Sequence, residues 1–167
     1  MTSRSHLAAA AVISAVVICS GTALCAQPTA SSKPPQAQPA LDFEFYKARV
    51  EPVFLKTRES HTRCVVCHAE SNNAFRLEKL PSGAKAWSEE QSRKNFAGVS
   101  ALVTPGDPVR SRLLLHPLAP ERGGHVFHSG GRQFASRNDP DWKALAQWIN
   151  GATLAAQVRT ERAGKQK

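Results

Sequence analysis

The stretch Cys64-Val65-Val66-Cys67-His68 decides how the rest of the chain is interpreted. It has the C-x-x-C-H spacing of covalent haem attachment, in which each cysteine forms a thioether with one vinyl group of the haem. The adjacent histidine then presents its imidazole to the iron. The motif therefore predicts one covalently bound haem c, anchored by Cys64 and Cys67, with His68 as the proximal iron ligand.

Three other uses of such a cysteine pair stay open. A thioredoxin-like redox motif needs a βαβ pattern around it, and the flanking sequence shows none. A structural zinc site needs four ligands, usually from two such pairs, and this region has one pair. A local disulfide between Cys64 and Cys67 would suit an exported interaction domain without haem. Haem attachment is favoured because the N-terminus also predicts export.

That N-terminus has the order of a secretory signal peptide. Arg4 precedes a nearly unbroken apolar run at residues 7–18, and small residues follow at 20–23. The run is short for a bilayer span, so we expect cleavage of residues 1–26 and a periplasmic or otherwise exported chain without a stable membrane span. A retained anchor or a lipid-modified Cys25 are the alternatives. Cleavage removes one arginine and no acidic residue, so the formal charge falls from +9 to 9 − 1 = +8.

The composition predicts one folded domain with extended ends. The chain has 167 residues, of which 41% are hydrophobic and 21% charged, which excludes a fibrous or polytopic membrane protein. Residues 27–40 are rich in Pro, Ala and Gln and predict a flexible tether. Residues 41–155 form the predicted domain, and the basic residues 156–167 are predicted to be a disordered tail.

The domain is predicted to be all-α. Four segments place apolar residues three and four apart behind a helix start signal: 42–57, 88–102, 107–115 and 140–152. A bend is expected near Pro52, and Ser88 with Gln91 has the spacing of a capping box. Residues 116–138 form a loop of 23 residues with four glycines, long enough to indicate a function.

Four short motifs follow one another along this domain: V-E-P-V-F at 50–54, C-V-V-C-H at 64–68, P-G-D-P-V-R-S-R-L-L at 105–114 and L-A-Q-W-I at 145–149. Their order resembles the planctomycete-type cytochrome c domain, a small relative of the class I cytochrome c fold. The resemblance covers residues 43–152. It implies a helical domain wrapped around one haem, in which Phe43 and Tyr46 of the first helix face Leu145 and Trp148 of the last.

The sixth iron ligand departs from this family, whose members commonly use a methionine shortly before the tryptophan of the last helix. The one methionine of the chain is Met1, inside the predicted signal peptide. His128 lies 20 residues before Trp148, in the glycine-containing loop, and the resemblance implies it as the distal ligand. The alternatives are His125, His116, His61, or an open or water-bound position.

Two histidine ligands leave no vacancy on the iron, so the predicted function is single-electron transfer rather than catalysis. The expected potential lies below that of cytochromes with a methionine ligand. Arg132 and Arg137 are candidate partners for the haem propionates. The basic charge predicts redox partners with an acidic docking face and no nucleic acid. The alternative is a haem enzyme, such as a peroxidase, or a gas sensor with an open or displaceable sixth position.

Overall fold

The computed structural model describes residues 37–165. The predicted signal peptide and most of the predicted tether therefore lie outside the described residues, as do residues 166 and 167. The described chain is helical and contains two isolated β-bridges but no β-strand, which confirms the all-α prediction. None of the helices between residues 37 and 165 combines the length and the apolar character that crossing a membrane requires.

Between residues 37 and 165 the chain forms seven α-helices, one π-helical turn and one 3-10 turn. In order they are α1 (Phe43–Phe45), a π-helical turn (Tyr46–Val50), α2 (Glu51–Leu55), α3 (Cys64–His68), α4 (Glu89–Ser100), α5 (Arg112–Leu115), a 3-10 turn (Pro120–Arg122), α6 (Pro140–Ile149) and α7 (Leu154–Gly164).

The bend predicted near Pro52 takes the form of the π-helical turn. Asp42 begins the segment by accepting a hydrogen bond from the Phe45 N–H at 2.6 Å. Glu51 then donates its N–H to the Tyr46 carbonyl, five residues back rather than four. Pro52 has no N–H to continue the regular pattern, so the widened turn lies directly before it.

The predicted third helix is wrong in its first half. Instead of starting at Asp107, α5 starts at Arg112. The Ser111 hydroxyl donates to the Asp107 carbonyl at 2.8 Å and accepts from the Thr104 N–H at 2.9 Å. Asp107 donates its own N–H to the Thr104 carbonyl. These bonds close residues 104–111 into a compact loop. The backbone groups of Thr104 and Asp107 are bonded within this loop rather than within a helix.

The first helical segment packs against helix α6. The Tyr46 and Trp148 rings lie 5.3 Å apart between centroids, and the Trp148 indole N–H donates to the Asp42 carbonyl at 3.0 Å. Phe96 of α4 contacts both rings, and Phe43 packs edge-on against Phe96 at 5.4 Å. Helix α6 is thereby held in place at one side of the core.

The C-terminal segment corrects the prediction of a disordered tail, because it forms helix α7. Thr153 caps this helix by accepting from the Ala156 N–H at 3.2 Å. The side chains of Arg49 and Glu161 form a salt bridge at 2.7 Å, which ties α7 to the first helical segment. These contacts are polar, so the apolar periodicity used for prediction did not detect them.

The predicted tether also ends earlier than expected, because Pro39 packs on the domain. Gly106 and Gly151 both have positive φ, +82° and +85°, and both face Pro39. A Cβ atom at Gly151 would lie 2.6 Å from the Cβ of Pro39, closer than two carbon atoms can approach. The domain therefore includes Pro39 and Ala40.

Candidate functional site

A cavity of about 310 Å³ lies between helix α3 and the loop 116–138. Its walls are largely apolar and come from several separate segments of the domain: Val53, Phe54, Phe75, Leu102, Leu113, Phe134 and Leu145. Cys64, Cys67 and His68 line one side, and His128 lines the loop side. The structure thus brings the predicted anchors, the proximal histidine and the predicted distal histidine to one cavity.

His68 is held in a single tautomer by its surroundings. Its Nδ1 lies 2.7 Å from the Phe75 carbonyl, and since a carbonyl only accepts, Nδ1 carries the proton. The ring also packs on Phe75, with centroids 4.1 Å apart. Burial lowers the pKa of His68, so the ring is neutral at pH 7 and Nε2 keeps its lone pair. This is the state in which a histidine binds a metal.

His128 has the same arrangement on the loop side. Its Nδ1 donates to the Gly131 carbonyl at 2.5 Å, and the Gly131 N–H donates back to the His128 carbonyl at 2.9 Å. Gly131 has φ +78°, which this reciprocal turn requires and which glycine adopts without strain. The turn leaves Nε2 as the nitrogen with a free lone pair.

The imidazole rings of His68 and His128 lie near each other and nearly parallel. Their ring centroids are 6.2 Å apart and their planes are inclined by 17°. A metal–imidazole bond is about 2 Å long, and the ring centre lies about 1 Å beyond the nitrogen, so two imidazoles on opposite sides of one metal ion have centroids about 6 Å apart. The observed separation fits one metal ion between His68 and His128.

The other three histidines between residues 37 and 165 are placed differently. His116 lines the cavity, but its ring packs on His125 at a centroid distance of 4.7 Å. His125 is exposed and its Nδ1 accepts from the Phe127 N–H at 3.3 Å. His61 directs Nδ1 to the Glu59 carbonyl, outside the cavity lining. Of the predicted alternatives, His116 alone shares the cavity with His68 and His128.

Both motif cysteines are free thiols. Cys64 is partly buried and Cys67 is exposed, and both line the cavity. Burial raises the pKa of the Cys64 thiol, partly offset by the nearby Arg58 guanidinium, so it is protonated at pH 7. The pair is therefore positioned for two separate bonds to one occupant of the cavity.

The arginines at the cavity are not the ones predicted. Arg132 forms a salt bridge with Glu121 at 3.3 Å, and Arg137 lies against Gly123; neither lines the cavity. Arg63 and Arg112 line it instead, and the lining includes no aspartate or glutamate. The available signal for Arg63 was its position next to Cys64. The cavity therefore has a positive border suited to an anionic occupant.

Comparison with known proteins finds no relative of this chain. No family model, curated protein or solved structure matches the chain. The resemblance to the planctomycete-type cytochrome c domain rests on the motifs between residues 50 and 149. Within residues 37–165, no cluster of three or more His, Cys, Asp and Glu side chains is arranged to hold a metal ion.

Proposed function

We propose that this chain is an exported mono-haem c-type cytochrome that carries single electrons between redox proteins, with His68 and His128 as its axial ligands. The observation that carries the proposal is the placement of the two imidazoles, whose ring centroids are 6.2 Å apart. They lie beside the C-x-x-C-H cysteines in one apolar cavity. Each ring donates its Nδ1 proton to a backbone carbonyl, which leaves each Nε2 free as a ligand.

The residues around the cavity fit haem in four respects. The apolar walls suit the porphyrin faces, and the two thiols suit its two vinyl groups. Two histidines supply two ligands, and a porphyrin supplies the four that lie in its plane. Arg63 and Arg112, rather than Arg132 and Arg137, are proposed to pair with the propionates, because guanidinium groups bind carboxylates well.

The side chains prepare the site for electron transfer. When bound, haem supplies a one-electron couple between ferric and ferrous iron. The hydrogen bonds from His68 to Phe75 and from His128 to Gly131 fix both rings, so little movement accompanies a change of charge. Phe54 and Leu145 contribute apolar surface to the same cavity. Two imidazoles favour a lower potential than a thioether ligand would.

The charge of the chain supports a redox partner with an acidic docking face. After the predicted cleavage the formal charge is 9 − 1 = +8, counted over residues 27–167. Complementary charge accelerates encounter between electron-transfer partners, and the effect weakens as salt is added. We expect partners in the periplasm or another exported compartment.

One observation favours a second candidate, a haem sensor or peroxidase-like enzyme with a displaceable sixth ligand. The ring of His128 is hydrogen-bonded within its own four-residue turn, whereas that of His68 is bonded and packed against Phe75, seven residues away. Val126 and Phe127, directly before His128, are 70% and 81% exposed. A turn of this kind could release its histidine to an external ligand more readily than helix α3 could.

The decisive experiment is expression with export in a host that matures c-type cytochromes. We expect a coloured protein whose mass is increased by one haem, with a low-spin spectrum in both oxidation states. His128→Ala should convert that spectrum to high-spin, and the matched variant His125→Ala should not. Carbon monoxide should bind slowly to the reduced wild type, after release of His128.

Each alternative has its own outcome in this experiment. A colourless, compact product without added mass would refute haem attachment. A high-spin wild type that binds carbon monoxide without a lag would favour the sensor or enzyme. A loss of the low-spin spectrum in His116→Ala but not in His128→Ala would overturn the distal assignment.

A further inference from the structure

Gln133 is a buried polar residue that the proposed electron-transfer function does not use. Its side chain lines the cavity, and the residue is 6% exposed. The amide nitrogen Nε2 donates to the Gly130 carbonyl at 2.9 Å and approaches the Thr62 carbonyl at 3.4 Å. A primary amide has two N–H groups, so one nitrogen can serve both carbonyls.

The two carbonyls belong to segments that are far apart along the chain. Thr62 lies two residues before Cys64, in the segment that leads into the haem-attachment helix. Gly130 lies two residues after His128, inside the turn that orients its ring. Gln133 thus joins the segment carrying the covalent anchors to the turn carrying the distal histidine.

Further contacts keep this connection in place. The residue after Gln133 is fixed to the start of the loop, because the Phe134 N–H donates to the Pro117 carbonyl at 3.0 Å and the Phe134 carbonyl accepts from the Ala119 N–H at 2.9 Å. Gly131 also lies against the His61 ring, on the same side as Thr62. Gln133 is the side chain whose hydrogen bonds reach both segments.

We propose that Gln133 is a positioning residue that keeps His128 opposite His68 by holding the Gly130 carbonyl to the Thr62 segment. This inference rests on the proposed haem ligation. Without the amide donor, two carbonyls lose their partner and the His128 turn is tied to the anchor segment by packing alone. His128 then leaves the iron more often, and an external ligand enters faster.

The test measures how fast His128 is displaced in the haem-loaded, exported protein. Carbon monoxide binding to the reduced protein is followed at saturating gas, where the release of His128 limits the rate. Gln133→Leu removes both donors, and the nearly isosteric Gln133→Glu replaces them with acceptors. We expect both variants to bind carbon monoxide roughly tenfold faster than wild type, the effect of about one lost hydrogen bond.

Two matched controls separate positioning from general loosening. Gln147→Glu makes the same chemical change on an exposed position of α6 and should leave the rate unchanged. Val99→Ala destabilises the core at a fully buried position that does not line the cavity, and it should lower the unfolding temperature without changing the rate. Equal acceleration in Val99→Ala and the Gln133 variants would overturn the proposal.

The His128→Ala background separates this inference from the proposed function. If Gln133 acts through His128, Gln133→Leu adds no further acceleration once His128 is absent. Acceleration in that background, or a wild-type rate in both single variants, would overturn the role of Gln133 while leaving the ligation intact. If His128→Ala itself changes neither spectrum nor rate, the proposed ligation fails, and the role of Gln133 fails with it.

Discussion

Replacing Gly151 with alanine tests the packing of the N-terminal segment on the domain. The backbone part of the cost comes from φ +85°, which an L-residue adopts at a cost of about 1 kcal/mol. The steric part comes from the new Cβ, which would lie 2.6 Å from the Cβ of Pro39. Overpacking of this kind costs about 2 kcal/mol. We therefore expect the free energy of unfolding to fall by about 3 kcal/mol, and the unfolding temperature by about 10 °C.

Two further variants, measured by urea denaturation of the exported protein, separate these contributions. Gly83 has φ +75° with no atom within 4 Å of its added Cβ, so Gly83→Ala should cost the backbone part alone. Pro39→Gly removes the opposing Cβ, and Gly151→Ala in that background should cost about 1 kcal/mol rather than 3. If the effects of Pro39→Gly and Gly151→Ala simply add, Pro39 does not pack against Gly151 and the predicted domain boundary at residue 41 stands.

Two other substitutions probe the buried charge and the cavity border. Glu51 is 5% exposed, and its burial raises the pKa of its carboxyl group. The protonated form therefore favours the folded state, and the wild-type protein loses stability as the pH rises through the raised pKa. At pH 7 the free energy of unfolding of Glu51→Gln should therefore be about 1 kcal/mol higher than that of wild type, and this difference should disappear below about pH 4. Equal free energies of unfolding at pH 7 would contradict this reasoning. Arg112→Ala removes a positive charge beside the proposed haem and should lower its reduction potential by on the order of 50 mV in a redox titration, and the control Arg132→Ala should not. Equal reduction potentials in Arg112→Ala and Arg132→Ala would show that the propionates do not lie beside Arg112.

Helix starts were predictable because capping acts over three residues or fewer. Asp42, Ser88 and Asp139 each accept a backbone N–H within the first turn of the helix that follows. Ser88 and Gln91 form both bonds of the capping box. No distant residue is needed for these bonds, so the local sequence was sufficient.

The same signal was misleading at Asp107-Pro108, where distant residues compete for the backbone. Gly106 donates its N–H to the Ile149 carbonyl at 2.8 Å, more than forty residues away along the chain. Leu113 donates to the Leu102 carbonyl at 3.1 Å. These bonds and the Ser111 hydroxyl fold the segment as a loop, and local sequence contains no sign of them.

The arginines that line the cavity were missed for a related reason. Arg132 and Arg137 are close to His128 in sequence, but Arg132 pairs with Glu121 and Arg137 lies against Gly123. Arg63 and Arg112 reach the cavity from α3 and α5, which meet only in the folded domain. Proximity along a loop therefore does not indicate which side of a cavity a side chain faces, and the haem itself stays a prediction here.

The loop 116–138 brings His128 to the cavity that His68 also lines. The loop leaves α5 at Leu115 and returns to α6 at Pro140, and α6 is fixed by the burial of Trp148. Its base is closed where Phe134 bonds to Pro117 and Ala119, so the residues between them project as a separate lobe over the cavity. The proposed role of His128 as an iron ligand would explain the length of this loop. The loop carries His128 to the cavity, and the turn at Gly131 together with Gln133 holds the histidine there.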